Sequence, residues 1–177
     1  MDKLLFLDTE TTGLYDDDRL CQVAYCAITE DQPATIEHSL FKPEVPMRHD
    51  ASAVNHITDK MLVEQEVFKG SDYAEKLQIL LNDDFILVAH NAAFDIKMLE
   101  REGIEVPRHI CTMKLSKKMA ETKKHQMQYL RYFHELEVDN SAVAHSAEGD
   151  VMVLTALFEH YNKLMSVDEM VGISEQY

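Results

Sequence analysis

The chain opens on a short run of apolar residues, Leu4-Leu5-Phe6-Leu7, with no polar position inside it. Closed by Thr11-Thr12-Gly13, the run predicts a central strand buried on both faces and then a turn. Segments near 20–29 and 35–42 read as two further strands. Asp16-Asp17-Asp18 and Glu30-Asp31-Gln32-Pro33 supply polar turns between them, which predicts a three-strand antiparallel meander. From about residue 58 the period changes. Tyr73, Leu77, Leu80 and Leu81 fall at helical spacing over 72–81, and Phe85-Ile86-Leu87-Val88 forms another short apolar strand. Asn91 is placed to cap a helix carrying Phe94, Met98 and Leu99, with Gly103 to close it. Ile110-Cys111-Thr112 reads as a last short strand, followed by helices near 113–119 and 125–134. The stripe Val151, Leu154, Leu157, Phe158, Tyr161 and Leu164 predicts one more helix after Gly149. Strands first, then strands alternating with helices, imply an α/β fold with a mixed sheet covered by helices.

At 177 residues and 46% hydrophobic content, one domain over 1–177 with a real core is expected. No apolar run approaches the roughly 18 residues of a membrane helix, and Met1-Asp2-Lys3 leads straight into the first strand. Neither a membrane partner nor a leader peptide is expected, and the location implied is cytoplasmic. Cys21, Cys26 and Cys111 lack the spacing of a zinc site or a disulfide framework, so they read as reduced, buried small hydrophobes. The net charge of -15 argues against a nucleic-acid partner, because phosphate contacts come from Lys and Arg. Its distribution changes that picture. Residues 101 to 131 carry eight of the seventeen basic residues against three acidic ones, leaving the window at +5 and the remainder at -20. A solvated helical face and a local phosphate track both fit that window.

Three segments carry the chemistry. In LDTETTGL, Asp8 and Glu10 are two apart at the end of the first strand, so both carboxylates project from one face if strand geometry persists. In AHNAAFDIKML, residues 89–99, Asp95 falls near the C-terminal end of a buried strand, where open α/β sheets place ligands. It can face the first pair there. In AHSAEGDVMVL, residues 144–154, His145 and Asp150 would diverge by about 140° in a continuous helix, so His145 should precede the helix, where a mobile base is suited. Four carboxylates converging in one cleft make sense only around cations, and hard oxygen donors without Cys select Mg²⁺ or Mn²⁺. Two such ions about 4 Å apart clamp the attacking and leaving oxygens of a phosphodiester, and a His of ordinary pKa near 6.5 removes a water's proton at neutral pH.

The order Asp-x-Glu, His-Asn-x-x-Phe-Asp, His-x-x-x-x-Asp across residues 8–150 resembles the three-motif signature of the DnaQ-like exonucleases of the ribonuclease H-like fold. The sister group carries Tyr four residues before the last Asp, and Ser146 here points to the His-containing, DEDDh subclass. ICTMKLSKKM at 110–119, the stretch FKPEVPMRHDASAVNHIT ending at Thr58, and SVDEMVGIS at 166–174 resemble exodeoxyribonuclease X. The resemblance implies a five-stranded sheet of order 3-2-1-4-5, with the second and third strands antiparallel to the first and the fourth and fifth parallel to it. It implies 3′-to-5′ hydrolysis releasing nucleoside monophosphates, with two Mg²⁺ or Mn²⁺ on Asp8, Glu10, Asp95 and Asp150 and His145 as general base. Thr11, Thr12, Gly13 and Leu14, with His90, Asn91 and Phe94, are implied to line the path of the last nucleotides. The family places His where Asn55 stands, so either Asn55 or the neighbouring His56 is expected at the 3′-terminal pocket. The partners implied are DNA 3′ ends, single or double stranded, with RNA ends and a second copy of the chain as alternatives. A polymerase-bound proofreading subunit is a further alternative. The absence of a tail after the last helix favours a freestanding enzyme over it, and an inactive nucleic-acid-binding scaffold is a reading from another class.

Overall fold

The structure, a computed structural model, describes residues 2–30, 34–139 and 144–176. Its centre is a five-stranded sheet of order β3-β2-β1-β4-β5, made of β1 (Leu4–Thr11), β2 (Leu20–Ile28), β3 (Ile36–Leu40), β4 (Ile86–Ala89) and β5 (His109–Cys111). The apolar opening run becomes the central strand. β1 pairs antiparallel with β2 and parallel with β4, and β4 pairs parallel with β5. β3 is antiparallel to β2 and so runs parallel to β1, which corrects the expected direction. Two successive reversals in a meander return the third strand to the heading of the first. Of the two expected turns between these strands, Asp31-Gln32-Pro33 lies outside the described residues.

Side chains alternate across β1, and the alternation builds two cores. Leu4 and Phe6 enter one with Val151, Leu154, Leu157, Phe158 and Tyr161. Leu5 and Leu7 enter the other with Leu77, Leu81, Met98 and Leu99. The first face is covered mainly by α7 (Ala147–Asn162), whose Phe158 ring meets Phe6 edge-on with centroids 5.2 Å apart. Each fully buried Leu or Phe there contributes about 1.5–3 kcal/mol relative to exposure. α5 (Thr112–Met119), α6 (Met127–Phe133) and α8 (Val167–Glu175) complete that side. The second face is covered by α3 (Asp72–Asn82) and α4 (Ala92–Arg101). Among the described residues no helix is long and apolar enough to cross a membrane. The three cysteines are free and buried, as their spacing implied.

Several boundaries differ from expectation for local reasons. α7 begins before Gly149, at Ala147, because Ser146 caps it by accepting from the Gly149 N–H at 3.2 Å. Leu164 lies past that helix and is exposed, so the buried stripe stops at Tyr161. Asn91 occupies the N-cap position of α4 but is left-handed, with φ 67°, and makes no side-chain cap. Short α1 (His49–Asn55) and α2 (Asp59–Leu62) show no apolar period, each burying a single residue, Asn55 and Leu62 respectively.

Candidate active site

Asp8 and Glu10 continue the face of β1 that Leu4 and Phe6 begin, and the first turn of α7 places Asp150 against them. Carboxylate oxygens of Asp8, Glu10 and Asp150 all lie within 4.8 Å of one another. The α7 N-terminus is docked by the Ala147 N–H, which donates to the Gln22 side chain on β2 at 3.3 Å, and Gln22 is the register partner of Glu10. A register shift between Glu10 and Thr11 ends the regular pairing beside the cluster, a common place for a bulge that re-aims a side chain. Asp95 arrives from α4 on the other face. It is almost fully buried and accepts from the Thr9 hydroxyl at 2.7 Å.

Desolvation dominates the titration of all four groups. It lifts Asp8 well above the usual carboxylate range, and the charges of Asp95, Asp150 and Glu10 push further in the same direction. Glu10 is pushed up to about 8 by desolvation and then by Asp150, against a hydrogen bond from Asn55. Asp95 is raised to about 7 by desolvation, with the Thr9 hydroxyl opposing. Asp150 is also raised by desolvation, with donation from Gln128 and the His145 backbone opposing. Such a set lacks positive charge, and its all-oxygen donors suit a hard divalent cation. The residues therefore fit the ions expected from their type.

His145 stands two residues ahead of α7 in a left-handed turn, φ 61°, with an exposed side chain. Its backbone N–H donates to Asp150 Oδ2 at 3.0 Å, which ties the turn to the cluster. Asn55 is buried, donates to the Thr11 carbonyl at 3.2 Å and accepts from the Ile57 N–H, whereas His56 is exposed at the left-handed end of α1. A cavity of about 240 Å³ beside the cluster is lined by Glu10, Thr11, Gly13, Leu14 and Asn55, with Asp50, Ala51 and Val54. Thr12 does not line it, its hydroxyl being spent on buried Asp18 at 2.9 Å. Asn91 is exposed, and Phe94 packs against the second core. His90 bonds Thr112 at 2.9 Å and the His125 carbonyl at 2.8 Å, and lines a different cavity with Met113, His125, Gln126 and Met127.

The sequence family described as Exonuclease, RNase_T, matches residues 5–158 and so takes in every one of these carboxylates and His145. The chain belongs to this DnaQ-like exonuclease family. Over 100 residues it is 38% identical to the DNA polymerase III epsilon subunit of Treponema pallidum (strain Nichols), covering 54% of this chain and 43% of that subunit. It is 25% identical over 173 residues to the epsilon subunit of Buchnera aphidicola subsp. Schizaphis graminum, covering 88% and 72%. Exonuclease X in complex with 5′ overhanging duplex DNA shares the fold with TM-score 0.77 at 24% identity, covering 97% of this chain and 99% of that one. E. coli Exonuclease I with a dT13 oligonucleotide aligns with TM-score 0.72 at 16% identity, over 92% and 41%.

Two parts of this exonuclease site escaped the sequence reading. Gln128, in the first turn of α6, donates to Asp150 Oδ1 at 2.8 Å, a contact across 22 positions that no local pattern announces. Asp18 reads as one of three turn aspartates, yet it is buried and collects Thr12, the Tyr15 N–H at 2.7 Å and Arg48 Nε at 2.9 Å. That hub fixes the loop after β1. Gly13 is the fingerprint it leaves in the sequence, since a Cβ there would lie 2.4 Å from Asp18 Oδ2 and 2.6 Å from Arg48 Cδ.

Proposed function

We propose that the protein is a 3′-to-5′ exonuclease acting on DNA ends, one domain over residues 1–177, releasing nucleoside 5′-monophosphates one at a time. The observation that carries this reading is the three-carboxylate cluster within 4.8 Å, with Asp95 at its edge and His145 tethered to Asp150 by its backbone. Asp8, Glu10, Asp95 and Asp150 would hold two Mg²⁺ or Mn²⁺ ions, which when bound supply charge neutralisation for the attacking and leaving oxygens. His145 takes the proton of the attacking water at its imidazole, and its exposed, left-handed position lets the ring approach and withdraw. The water oxygen bonds to phosphorus, the bond to the penultimate 3′ oxygen breaks, and that oxygen leaves with the shortened strand. Thr11, Gly13, Leu14 and Asn55 seat the terminal nucleotide in the adjoining cavity. Duplex and oligonucleotide DNA in the related structures favour DNA over RNA. The epsilon-subunit relatives favour a second reading, the same chemistry performed as a proofreading subunit beside a polymerase.

The test is digestion of 5′-labelled DNA with and without Mg²⁺ or Mn²⁺. A ladder shortening from the 3′ end, dependent on metal, is expected. His145→Ala should lower single-turnover hydrolysis by about 10² to 10⁴ fold while DNA binding persists. Metal-independent cleavage would sink the cation sites, and equal rates would remove His145 from the mechanism.

A further inference from the structure

α6 leaves the acidic site with an unusual outer face. Its first turn is fixed there by the Gln128 to Asp150 bond, and Met127 and Leu130 bury its inner face. The outer face shows Tyr129, Tyr132 and Phe133, with Tyr132 74% exposed. Tyr129 and Phe133 are stacked, centroids 5.9 Å apart and planes 22° apart, with Phe133 also meeting His134 edge-on at 5.0 Å, and the two rings stay 37% and 42% exposed. Each tyrosine has a cation over it: Lys124 Nζ is 5.4 Å from the Tyr129 ring and Arg131 Cζ is 5.6 Å from Tyr132. Both cations belong to the +5 window of a chain that is otherwise strongly acidic.

Open rings interleaved with Lys and Arg suit bases that stack while their phosphates are neutralised. We propose that the outer face of α6 is a stacking platform for unpaired bases of a nucleic-acid strand whose 3′ end lies in the acidic site. The proposal rests on the exonuclease reading above and adds where the strand goes next. A helix of seven residues is about 10 Å long, which at about 3.4 Å per nucleotide seats about three bases. The track stops at exposed Glu135 and Glu137, which follow the helix and repel phosphates. Paired cations, together with the helix's attachment to Asp150, favour a nucleic acid over a protein partner on this face.

The probe is a 5′-fluorescein oligo(dT) of about ten nucleotides, within the usual span of stacking sites, titrated by anisotropy in EDTA so that nothing is cut. Tyr132→Ala, and the double variant with Tyr129→Ala, should each bind less tightly, by about five-fold or more per ring. Hydrolysis of a dinucleotide should be unchanged, because it occupies the acidic site alone. Tyr132→Trp should keep the affinity, and since the chain has no tryptophan its indole is a sole reporter, quenched when bases stack on it. Unchanged oligonucleotide affinity in the double variant, beside a wild type that binds and cuts, overturns the platform and spares the exonuclease reading. A wild type that neither binds nor cuts DNA overturns both. A shift in oligomeric state on Tyr132→Ala, with oligonucleotide affinity intact, makes the face a protein interface and also overturns the proposal.

Discussion

Gln128 and the His145 backbone hold the two oxygens of Asp150 from separate parts of the chain, at 2.8 and 3.0 Å. A carboxylate oriented at both oxygens has less freedom to lose when it takes up a cation, which is how outer partners raise metal affinity. Gln128 is therefore a positioning residue, not a ligand. Gln128→Leu should weaken Mn²⁺ binding by about 10- to 100-fold, followed by calorimetric or EPR titration of the protein alone. Turnover at saturating Mn²⁺ should largely recover, which separates lost positioning from lost folding. An unchanged Mn²⁺ affinity would leave the contact without a role at the site. At this same scale the sequence is most legible where one residue type answers one need: the carboxylates of Asp8, Glu10 and Asp150, which the structure brings together, stand out in it. It is least legible where a common residue acts through a distant one, as Gln128 and Asp18 do.

Among elements, those with a strong apolar period were readable. β1, β4, α3 and α7 declared themselves because each buries a continuous stripe or run. α1 did not, since it buries only Asn55, which bonds the Thr11 carbonyl, and rests Ala51 on the small cluster of Cys21, Met47, Ile57 and Leu62, and the direction of β3 follows from connectivity instead of composition. His90 shows how such polar contacts join elements. It links the end of β4 to Thr112 of α5 and to the loop before α6 at the His125 carbonyl. Desolvation lowers its pKa to about 4, so in the fold it is neutral, its Nε2–H donating to the carbonyl and Nδ1 accepting from Thr112. Below pH about 6.5 the unfolded chain takes up a proton that folded His90 refuses. Stability from this group is thus complete above pH 6.5 and is lost as pH falls toward 4. Thermal melts of wild type and His90→Gln over that window should show a shallower acid loss in the variant. Parallel curves would mean that His90 does not drive it.

Across the whole molecule the dominant fact is a net charge of -15, and where Asp8, Glu10 and Asp150 meet, burial makes the charged form of each carboxyl costly. Glu10 and Asp95 keep their protons in the fold to about 8 and about 7, while unfolded carboxyls release theirs near 4. Folded values above unfolded ones mean stability that is complete below pH about 4 and declines as pH rises through 7 to 8. In EDTA, then, the melting temperature should fall between pH 5 and 8 once the opposing loss from His90 at the acid end is subtracted. Saturating Mg²⁺ or Mn²⁺ should cancel the fall, a ligand at about 100 times its Kd adding roughly 2.7 kcal/mol. Asp8→Asn should shrink both the fall and the metal response. Identical profiles with and without metal would mean that the cluster does not hold a cation.

The cluster draws its members from positions far apart in the chain: Asp8 and Glu10 on β1, Asp95 on α4, and Asp150 on the later helix α7. That spacing sets an order in time. A chain still being synthesised presents β1 long before α7 has left the ribosome, and α7 must dock on β1 before Asp150 can join the other carboxylates. A half-made chain therefore carries the first motif without a competent centre.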